Sequence, residues 1–302
     1  MTARPLLRPA ARAPISDALL GPLLIAPAVL ILCAVIVYPL LATAWLSLFA
    51  IDTRTMEGGW VGLANFAAML GPDGRFFGAL GVTLVWTAGT LTLQLALGIG
   101  IALLLHQPLW FRSLARGLAL FPYLVSTVVA VLVWRWLFND FFGLFNRALI
   151  GLDVISRPVD WLGQMPNAMA STIVVGAWKF FPFVVIAVLA RLQTIPDSLY
   201  EAARLDGAGA WGRFRDVTLP QLADVLGIVI LLRAIWDFKE FDLIFLLTGG
   251  GPVDATRTLP LVVYQEAFGL NRMGLASAHA LGMMVVMTVM FVAYRLLTKA
   301  RT

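Results

Sequence analysis

Charged residues are concentrated in one apolar part of the sequence. The segment RAIWDFKEFD at 233–242 holds five ionisable side chains, which are Arg233, Asp237, Lys239, Glu240 and Asp242. Asp237 and Glu240 are three residues apart and so share one face of a helix, with Trp236 beside them. A charge inside a bilayer costs from about 2.5 kcal/mol upward, so such groups usually face a cavity or a partner. The cluster therefore predicts a water-filled path for a polar solute.

Lys179 is a second charge within an apolar stretch, and two interpretations of it stay open. It could contact the solute, or it could form a structural ion pair with Asp237 or Glu240. If the acidic residues bind solute, alanine at Asp237 or Glu240 should abolish uptake and leave assembly intact.

The sequence does not support enzymatic chemistry. His106 and His279 are the only histidines and lie far apart, and the single cysteine, Cys33, allows neither an internal disulfide nor a Cys-based metal site. The pattern Gly207-x-Gly209-x-x-Gly212 matches a dinucleotide fingerprint, but that fingerprint needs a preceding strand and a helix precedes it here. No P-loop sequence occurs. We expect no catalytic residues, no metal and no cofactor.

Membrane-spanning helices must position these charges. The 302 residues are 60% hydrophobic and 13% charged, whereas a soluble domain carries about a quarter charged residues. About 20 apolar residues cross a bilayer as a helix. Stretches of that length occupy residues 19–49, 79–105, 116–138, 168–192, 223–247 and 276–297. The sequence predicts an all-α polytopic membrane protein, with a segment 1–18 followed by one six-span domain at 19–302.

The first span begins after a basic segment, and its prolines predict a kink. Cleavage as a signal peptide at the small residues 42–44 is the alternative, but the apolar run exceeds the 7–15 residues of the apolar part of a signal peptide.

The loops that alternate along the chain differ in their basic residues, with twelve Lys or Arg residues in one set and six in the other. The richer set is Arg4, Arg8, Arg12, Arg112, Arg116, Arg191, Arg204, Arg213, Arg215, Arg295, Lys299 and Arg301, and the poorer set is Arg54, Arg75, Arg147, Arg157, Arg257 and Arg272. The richer set predicts cytoplasmic termini and a cytoplasmic loop at 193–222. On the outer side, residues 258–269 are predicted to form a short interfacial helix.

The inner loop at 196–220 has the pattern of two short helices separated by a sharp turn. Ser198 with Glu201 and Thr218 with Gln221 match capping boxes, which predict that helices begin at those positions. Gly207 predicts the break, and Asp206 is placed to cap the second helix. Trp211, Phe214 and Val217 form an apolar stripe on that helix. A plain connector would need only about 4–6 residues.

This loop resembles the EAA motif of the integral membrane subunits of bacterial ABC importers. The matching positions are Glu201, Ala202, Ala203, Asp206, Gly207, Ala208, Phe214, Leu219 and Pro220. The resemblance implies the type I importer permease fold and a coupling helix that docks on a separate ATPase subunit. ATP would then be bound by partner subunits.

Further stretches resemble the carbohydrate-uptake branch, the MalF/UgpA-like permeases. They are 121-FPYLV-125, 191-RLQTIPDSLYEAA-203 and 238-FKEFDLIFLLTGGGP-252. The resemblance implies substrate-contact positions on the third, fourth and fifth spans. These are Tyr123, Thr127, Gly176, Lys179, Phe180, Trp236, Asp237 and Glu240. Several carry charges that the family prototype lacks, which leaves disaccharide specificity open.

The resemblance implies a bacterial inner-membrane permease that imports a sugar or polyol. Its implied partners are a second related permease, two ATP-binding cassette subunits and an extracytoplasmic solute-binding protein, with no nucleic acid. A permease for glycerol phosphate or amino acids is the first alternative. A stand-alone secondary transporter is the second, and it would not need the EAA loop. An intramembrane enzyme is a third, and it has no catalytic residues in the sequence to support it.

Overall fold

The computed structural model describes residues 17–108 and 110–299, and most of them are helical. The helices are α1 (Asp17–Leu32), α2 (Tyr38–Leu46), α3 (Ala64–Leu70), α4 (Phe76–His106), α5 (Arg112–Leu124), α6 (Thr127–Leu137), α7 (Leu144–Gly151), α8 (Asn167–Leu192), α9 (Asp197–Leu205), α10 (Ala210–Arg213), α11 (Leu219–Phe238), α12 (Asp242–Leu247), α13 (Leu259–Tyr264) and α14 (Met273–Lys299). Two short strands, β1 (Phe49–Ile51) and β2 (Gly58–Trp60), form an antiparallel hairpin. The predicted segment 1–18 lies almost wholly outside the described residues.

The prediction of a helical, polytopic membrane protein is confirmed. Within the described residues, 5 helical segments are long and apolar enough to cross a membrane, and the bent pair α5 and α6 raises this to 6 if it forms one span. In the first span, α1 contains Pro22 and Pro27 and passes through a π-helical turn at Cys33–Val37 into α2. Such turns are sites where helices can bend, and the kink predicted for this span stays a prediction.

The centre of the molecule is the packing of α4 against α8. A Cβ on Gly176 would lie 2.3 Å from the Trp86 ring, and one on Gly98 would lie 2.4 Å from Cβ of Val184. Small residues at these points let the two helix backbones approach closely. Helix α11 packs against both, so α4, α8 and α11 form the frame on which the buried charged groups sit.

The third predicted span, 116–138, is not one straight helix. It is broken at Val125 and Ser126, where α5 and α6 meet at 96°. The apolar run is continuous in sequence, so hydropathy alone did not reveal the break.

The fifth predicted span, 223–247, is wrong at both ends. The helix is continuous from Ala210 through a π-helical turn at Phe214–Thr218 to Phe238. It then stops, and α12 begins at Asp242. The Glu240 carboxylate accepts a hydrogen bond from the backbone N–H of Leu243 at 3.1 Å. A side chain that binds the first turn of a new helix ends the preceding one.

The helix predicted at 258–269 is present as α13 followed by a π-helical turn at Gln265–Gly269. It does not lie flat at the interface, because Leu259 and Leu261 are fully buried. The hairpin of β1 and β2 lies beside it on the same end of the molecule. The side-chain amide of Asn65 supports this hairpin by donating to the carbonyls of Ser47 and Phe49 at 2.8 and 2.9 Å.

Candidate functional site

A cavity of about 360 Å³ lies where the two broken spans meet. Its lining residues are Tyr123, Phe180, Arg233, Trp236, Lys239, Glu240, Phe241 and Asp242. Tyr123 comes from the end of α5, Phe180 from the middle of α8, and the others from the end of α11 and the start of α12. Interrupted helices at membrane depth are tolerated where they line a cavity and are typical of solute sites in transporters.

Arg233 and Asp237 form a buried ion pair one helical turn apart on α11. Their side chains are 3% and 0% exposed. Gln94, fully buried on α4, completes the network. Its amide nitrogen donates to both Asp237 carboxylate oxygens at 3.3 and 3.2 Å, and its carbonyl oxygen accepts from Nε of Arg233 at 2.7 Å. Trp86 donates from its indole nitrogen to the Asp237 backbone carbonyl at 2.9 Å. The Asp237 carboxylate is therefore held within the protein and does not face the cavity.

Arg233 also forms part of the cavity wall through its guanidinium plane. Its Cζ lies 4.6 Å from the centroid of the Phe180 ring and 5.6 Å from that of Trp236. Trp236 in turn packs edge-on against Phe183, with ring centroids 5.1 Å apart. Cation–π contacts of this kind fix the orientation of a guanidinium and its aromatic neighbours. The wall thus presents flat apolar faces next to polar edges.

Lys179 is directed away from the cavity. Its ammonium group donates to the backbone carbonyls of Pro122 at 3.2 Å and Tyr123 at 3.3 Å, and also to that of Val125. In the described residues no ion pair joins Lys179 to Asp237 or Glu240, so the interpretation of Lys179 as a structural partner of those carboxylates is wrong. Its partners are the carbonyls at the end of α5.

The predicted substrate-contact residues divide into two groups. Tyr123, Phe180, Trp236 and Glu240 line the cavity. Thr127, Gly176, Lys179 and Asp237 do not. Gly176 contacts Trp86 on α4, and Thr127 is half-buried in the first turn of α6. Arg233 was predicted as a charge on the solute path but not as a contact residue. Gln94 was not predicted, although a polar side chain in the apolar α4 was a signal that it has a functional or structural role.

The inner loop is a compact unit between α8 and α11. Gly207 has φ of +81°, which favours glycine. The N–H of Gly207 donates to the Arg204 carbonyl at 3.0 Å, and that of Ala208 to the Ala203 carbonyl at 2.9 Å, which closes α9. Arg213 on α10 then donates to the Ala208 carbonyl at 2.9 Å. The sharp turn predicted at Gly207 is confirmed.

The capping predictions for this loop are wrong. Helix α9 starts at Asp197 after Pro196, α10 starts after Gly209, and neither has a side-chain cap from Ser198 or Asp206. Thr218 opens no new helix, because α10 continues into α11 through a π-helical turn. Its hydroxyl instead lies 3.1 Å from the Tyr200 hydroxyl. Proline and glycine at the helix starts set these boundaries without side-chain caps.

The matched loop residues present an exposed surface. Glu201, Ala202, Asp206, Gly207 and Pro220 are exposed, and Ala203, Ala208 and Phe214 are half-buried. Two large apolar side chains project from the same unit: Leu205 is 91% exposed and Trp211 is 71% exposed. Phe214 supports Trp211, with ring centroids 5.5 Å apart. Exposed apolar side chains surrounded by polar residues are typical of a protein-docking surface.

Comparison with known proteins gives matches over nearly the whole chain. Residues 94–302 match the family model "Binding-protein-dependent transport system inner membrane component". A trehalose/maltose transport system permease of Thermococcus litoralis is 36% identical over 262 residues, covering 87% of this chain and 88% of the relative. The inner membrane ABC transporter permease YcjO of Escherichia coli is 33% identical over 291 residues, covering 95% of each. A sulfoquinovosyl glycerol permease of Agrobacterium fabrum is 33% identical over 270 residues, covering 89% of this chain and 87% of the relative.

The fold of this chain also matches solved structures of bacterial ABC transporters. A crystal structure of a bacterial ABC transporter that imports the acidic polysaccharide alginate superposes with a TM-score of 0.80 at 21% identity. The match covers 95% of this chain and 96% of that one. A second structure of an alginate transporter, with its periplasmic protein bound, gives a TM-score of 0.77 at 20% identity, with 92% and 93% covered.

Proposed function

The chain belongs to the family of binding-protein-dependent ABC transporter inner membrane permeases, and from this premise we propose that it carries a sugar or polyol through the cavity between its third, fourth and fifth spans. As a member of that family it is a multi-pass inner membrane transport subunit, not an enzyme, and it needs no cofactor of its own.

The cavity where α5, α8 and α11 meet supports the sugar proposal. Sugars offer hydroxyl groups at their edges and C–H surfaces on their faces. Phe180 and Trp236 supply flat aromatic surfaces, while Tyr123, Glu240 and Arg233 supply donors and acceptors around the same space. Aromatic faces beside convergent polar groups in a concave site can bind such a small molecule.

The charges of the cavity argue against an anionic solute such as glycerol phosphate. Arg233 is already neutralised by Asp237. Lys239 then faces two carboxylates, Glu240 and Asp242, in the same cavity. With Lys179 counted, three cations and three carboxylates balance around the cavity, so the site offers no surplus positive charge to attract an anion.

We propose that the chain works with a second related permease, two ATP-binding cassette subunits and an extracytoplasmic solute-binding protein. The loop 196–220, with its exposed Leu205 and Trp211, would dock on an ATPase subunit. The residues of the matched motif are Glu201, Ala202, Ala203, Asp206, Gly207, Ala208, Phe214 and Pro220, and they would form that contact. Cytoplasmic termini follow from this orientation and from the distribution of Lys and Arg.

Uptake by the reconstituted transporter tests the proposal. Proteoliposomes carrying this chain with its permease and ATPase partners would be supplied with the binding protein and with labelled trehalose, maltose, glycerol 3-phosphate or leucine. We expect ATP-dependent uptake of a sugar alone. Uptake of glycerol 3-phosphate or leucine without any sugar would overturn the sugar proposal, and uptake without ATP would overturn the importer mechanism.

A further inference from the structure

Lys179 is an unusual cation for a membrane span, because its hydrogen-bond partners among the described residues are backbone carbonyls and not a carboxylate. Its side chain is 4% exposed, and its ammonium group has three backbone carbonyls as acceptors, those of Pro122, Tyr123 and Val125. Desolvating an ammonium group is costly unless its hydrogen bonds are satisfied. Three acceptors match the three N–H donors of a lysine, so the group is fully used within the protein.

The three carbonyls belong to the point where the third span breaks. Helix α5 ends at Leu124 and α6 leaves at 96°. In an unbroken helix the carbonyls of Pro122 and Tyr123 would accept from the N–H groups of residues 126 and 127. The break removes those partners, and unsatisfied carbonyls at a helix end attract a cation. Lys179 supplies the cation from α8.

The charged groups around Lys179 do not compete for it. Asp237 is bound to Arg233 and Gln94. Glu240 accepts from the N–H of Leu243, and no ion pair joins it to Lys179 within the described residues. The nearest aromatic contact is Phe180, whose ring centroid lies 5.9 Å from the ammonium nitrogen.

We propose that Lys179 is a positioning residue, which holds the bend between α5 and α6 and so places Tyr123 in the wall of the solute cavity. Tyr123 lies within the bonded segment and lines the cavity, whereas Lys179 does not. The inference rests on the proposed function only in giving the cavity its role. The geometric claim, that the Lys179 ammonium sets the place of residue 123, holds for any solute.

Cysteine labelling tests this claim without a solute. Cys33 is the single cysteine, so Cys33→Ser gives a background without thiols. Tyr123→Cys then reports on the bend, and Trp236→Cys in a separate variant reports on the opposite wall. The assembled transporter in membranes is treated with an uncharged methanethiosulfonate reagent, and the labelling rate is compared with and without Lys179→Met. Lys239→Met is the matched control, because Lys239 lines the same cavity but is not a partner of the bend.

We expect Lys179→Met to change the labelling rate at position 123 by at least about tenfold, since a charge-assisted hydrogen bond is worth a factor of this order. The rate at position 236 should change less than about twofold, Lys239→Met should change neither rate by more than that, and Lys179→Arg should restore most of the rate at position 123. Lys179→Gln replaces Lys179→Met if the latter does not accumulate.

An unchanged rate at position 123 would overturn the proposal, as would equal changes at positions 123 and 236, which would indicate general loosening. A direct contact between Lys179 and solute would instead leave both rates unchanged in the absence of solute. These outcomes do not depend on uptake, so a failure here is distinct from a failure of the sugar proposal.

Discussion

Asp237→Ala separates a structural from a solute-binding role for the most buried charge among the described residues. The carboxylate is 0% exposed and its partner Arg233 is 3% exposed. Removing the carboxylate leaves the guanidinium buried with Gln94 as its remaining side-chain acceptor. Breaking one side of a buried ion pair costs about 3–5 kcal/mol, which is a large part of the roughly 5–15 kcal/mol that stabilises a folded protein. We therefore expect Asp237→Ala to lower the amount of folded, assembled permease, contrary to the sequence-based expectation that assembly stays intact.

Thermal unfolding of the detergent-solubilised complex, followed by size-exclusion chromatography of a fluorescent fusion, measures this effect. The double variant Arg233→Met with Asp237→Met removes both charges and should recover most of the lost stability, because no unpaired charge remains. Glu240→Ala is the control, since Glu240 is only half-buried and forms one capping hydrogen bond. It should lose about 0.5–2 kcal/mol. Wild-type stability of Asp237→Ala, together with lost uptake, would refute the closed-network argument and restore Asp237 as a solute ligand.

Three further substitutions test the loop, the helix packing and the cavity. Gly207→Val places a side chain at φ of +81° and should cost about 1–2 kcal/mol; co-purification of the ATPase should fall, and full retention would contradict the docking role of the turn. Gly176→Ala brings a Cβ within 2.3 Å of Trp86 and should destabilise by about 1–3 kcal/mol, whereas Gly100→Ala, with open space around it, should leave the melting temperature unchanged or raise it. Glu240→Gln keeps an acceptor for the Leu243 N–H and should raise the apparent KM for uptake with little change in melting temperature; an unchanged KM would remove Glu240 from the solute site.

The approximate positions of the spans were readable from the sequence, because hydropathy is averaged over about 20 residues, and the structure has 5 such helical segments, or 6 if α5 and α6 form one span. The two breaks were not. The run 116–138 is apolar throughout, and the polar residue that makes its interruption possible, Lys179, lies 54 residues from Val125. A local pattern contains no information about such a distant partner. The break after Phe238 did have a local signal, the charged Lys239 and Glu240, which the sequence analysis assigned to the cavity alone.

The site was predictable by residue type more than by role. The aromatic residues Phe180 and Trp236, which were predicted as substrate contacts, line the cavity. Asp237 does not, because Gln94, 143 residues away in the sequence, closes the network around it. In an apolar environment every charge must find a partner, and whether that partner is the solute, another side chain or a helix end is decided by tertiary packing. Of the predicted contacts that miss the cavity, Lys179 and Asp237 are of this kind and Gly176 lies at a helix-packing position.

The error at Thr218 bears on how the loop can act on the cavity. A new helix starting at Thr218 would have separated the exposed loop 196–220 from the fifth span by a break in the helix. The helix is instead continuous for 29 residues from Ala210 to Phe238, and it passes through the π-helical turn at Phe214–Thr218. Trp211 and Trp236 therefore lie roughly 35–40 Å apart along one helix. Arg191 ties the inner end of α8 to the same helix, through hydrogen bonds of 2.8 Å to both the backbone and side-chain oxygens of Gln221. Helix α8 carries Phe180 and also holds the bend at Tyr123 through Lys179, and α11 carries Trp236. We therefore expect displacement of the loop to move these three walls of the cavity together, as one body in a rigid-body mechanism.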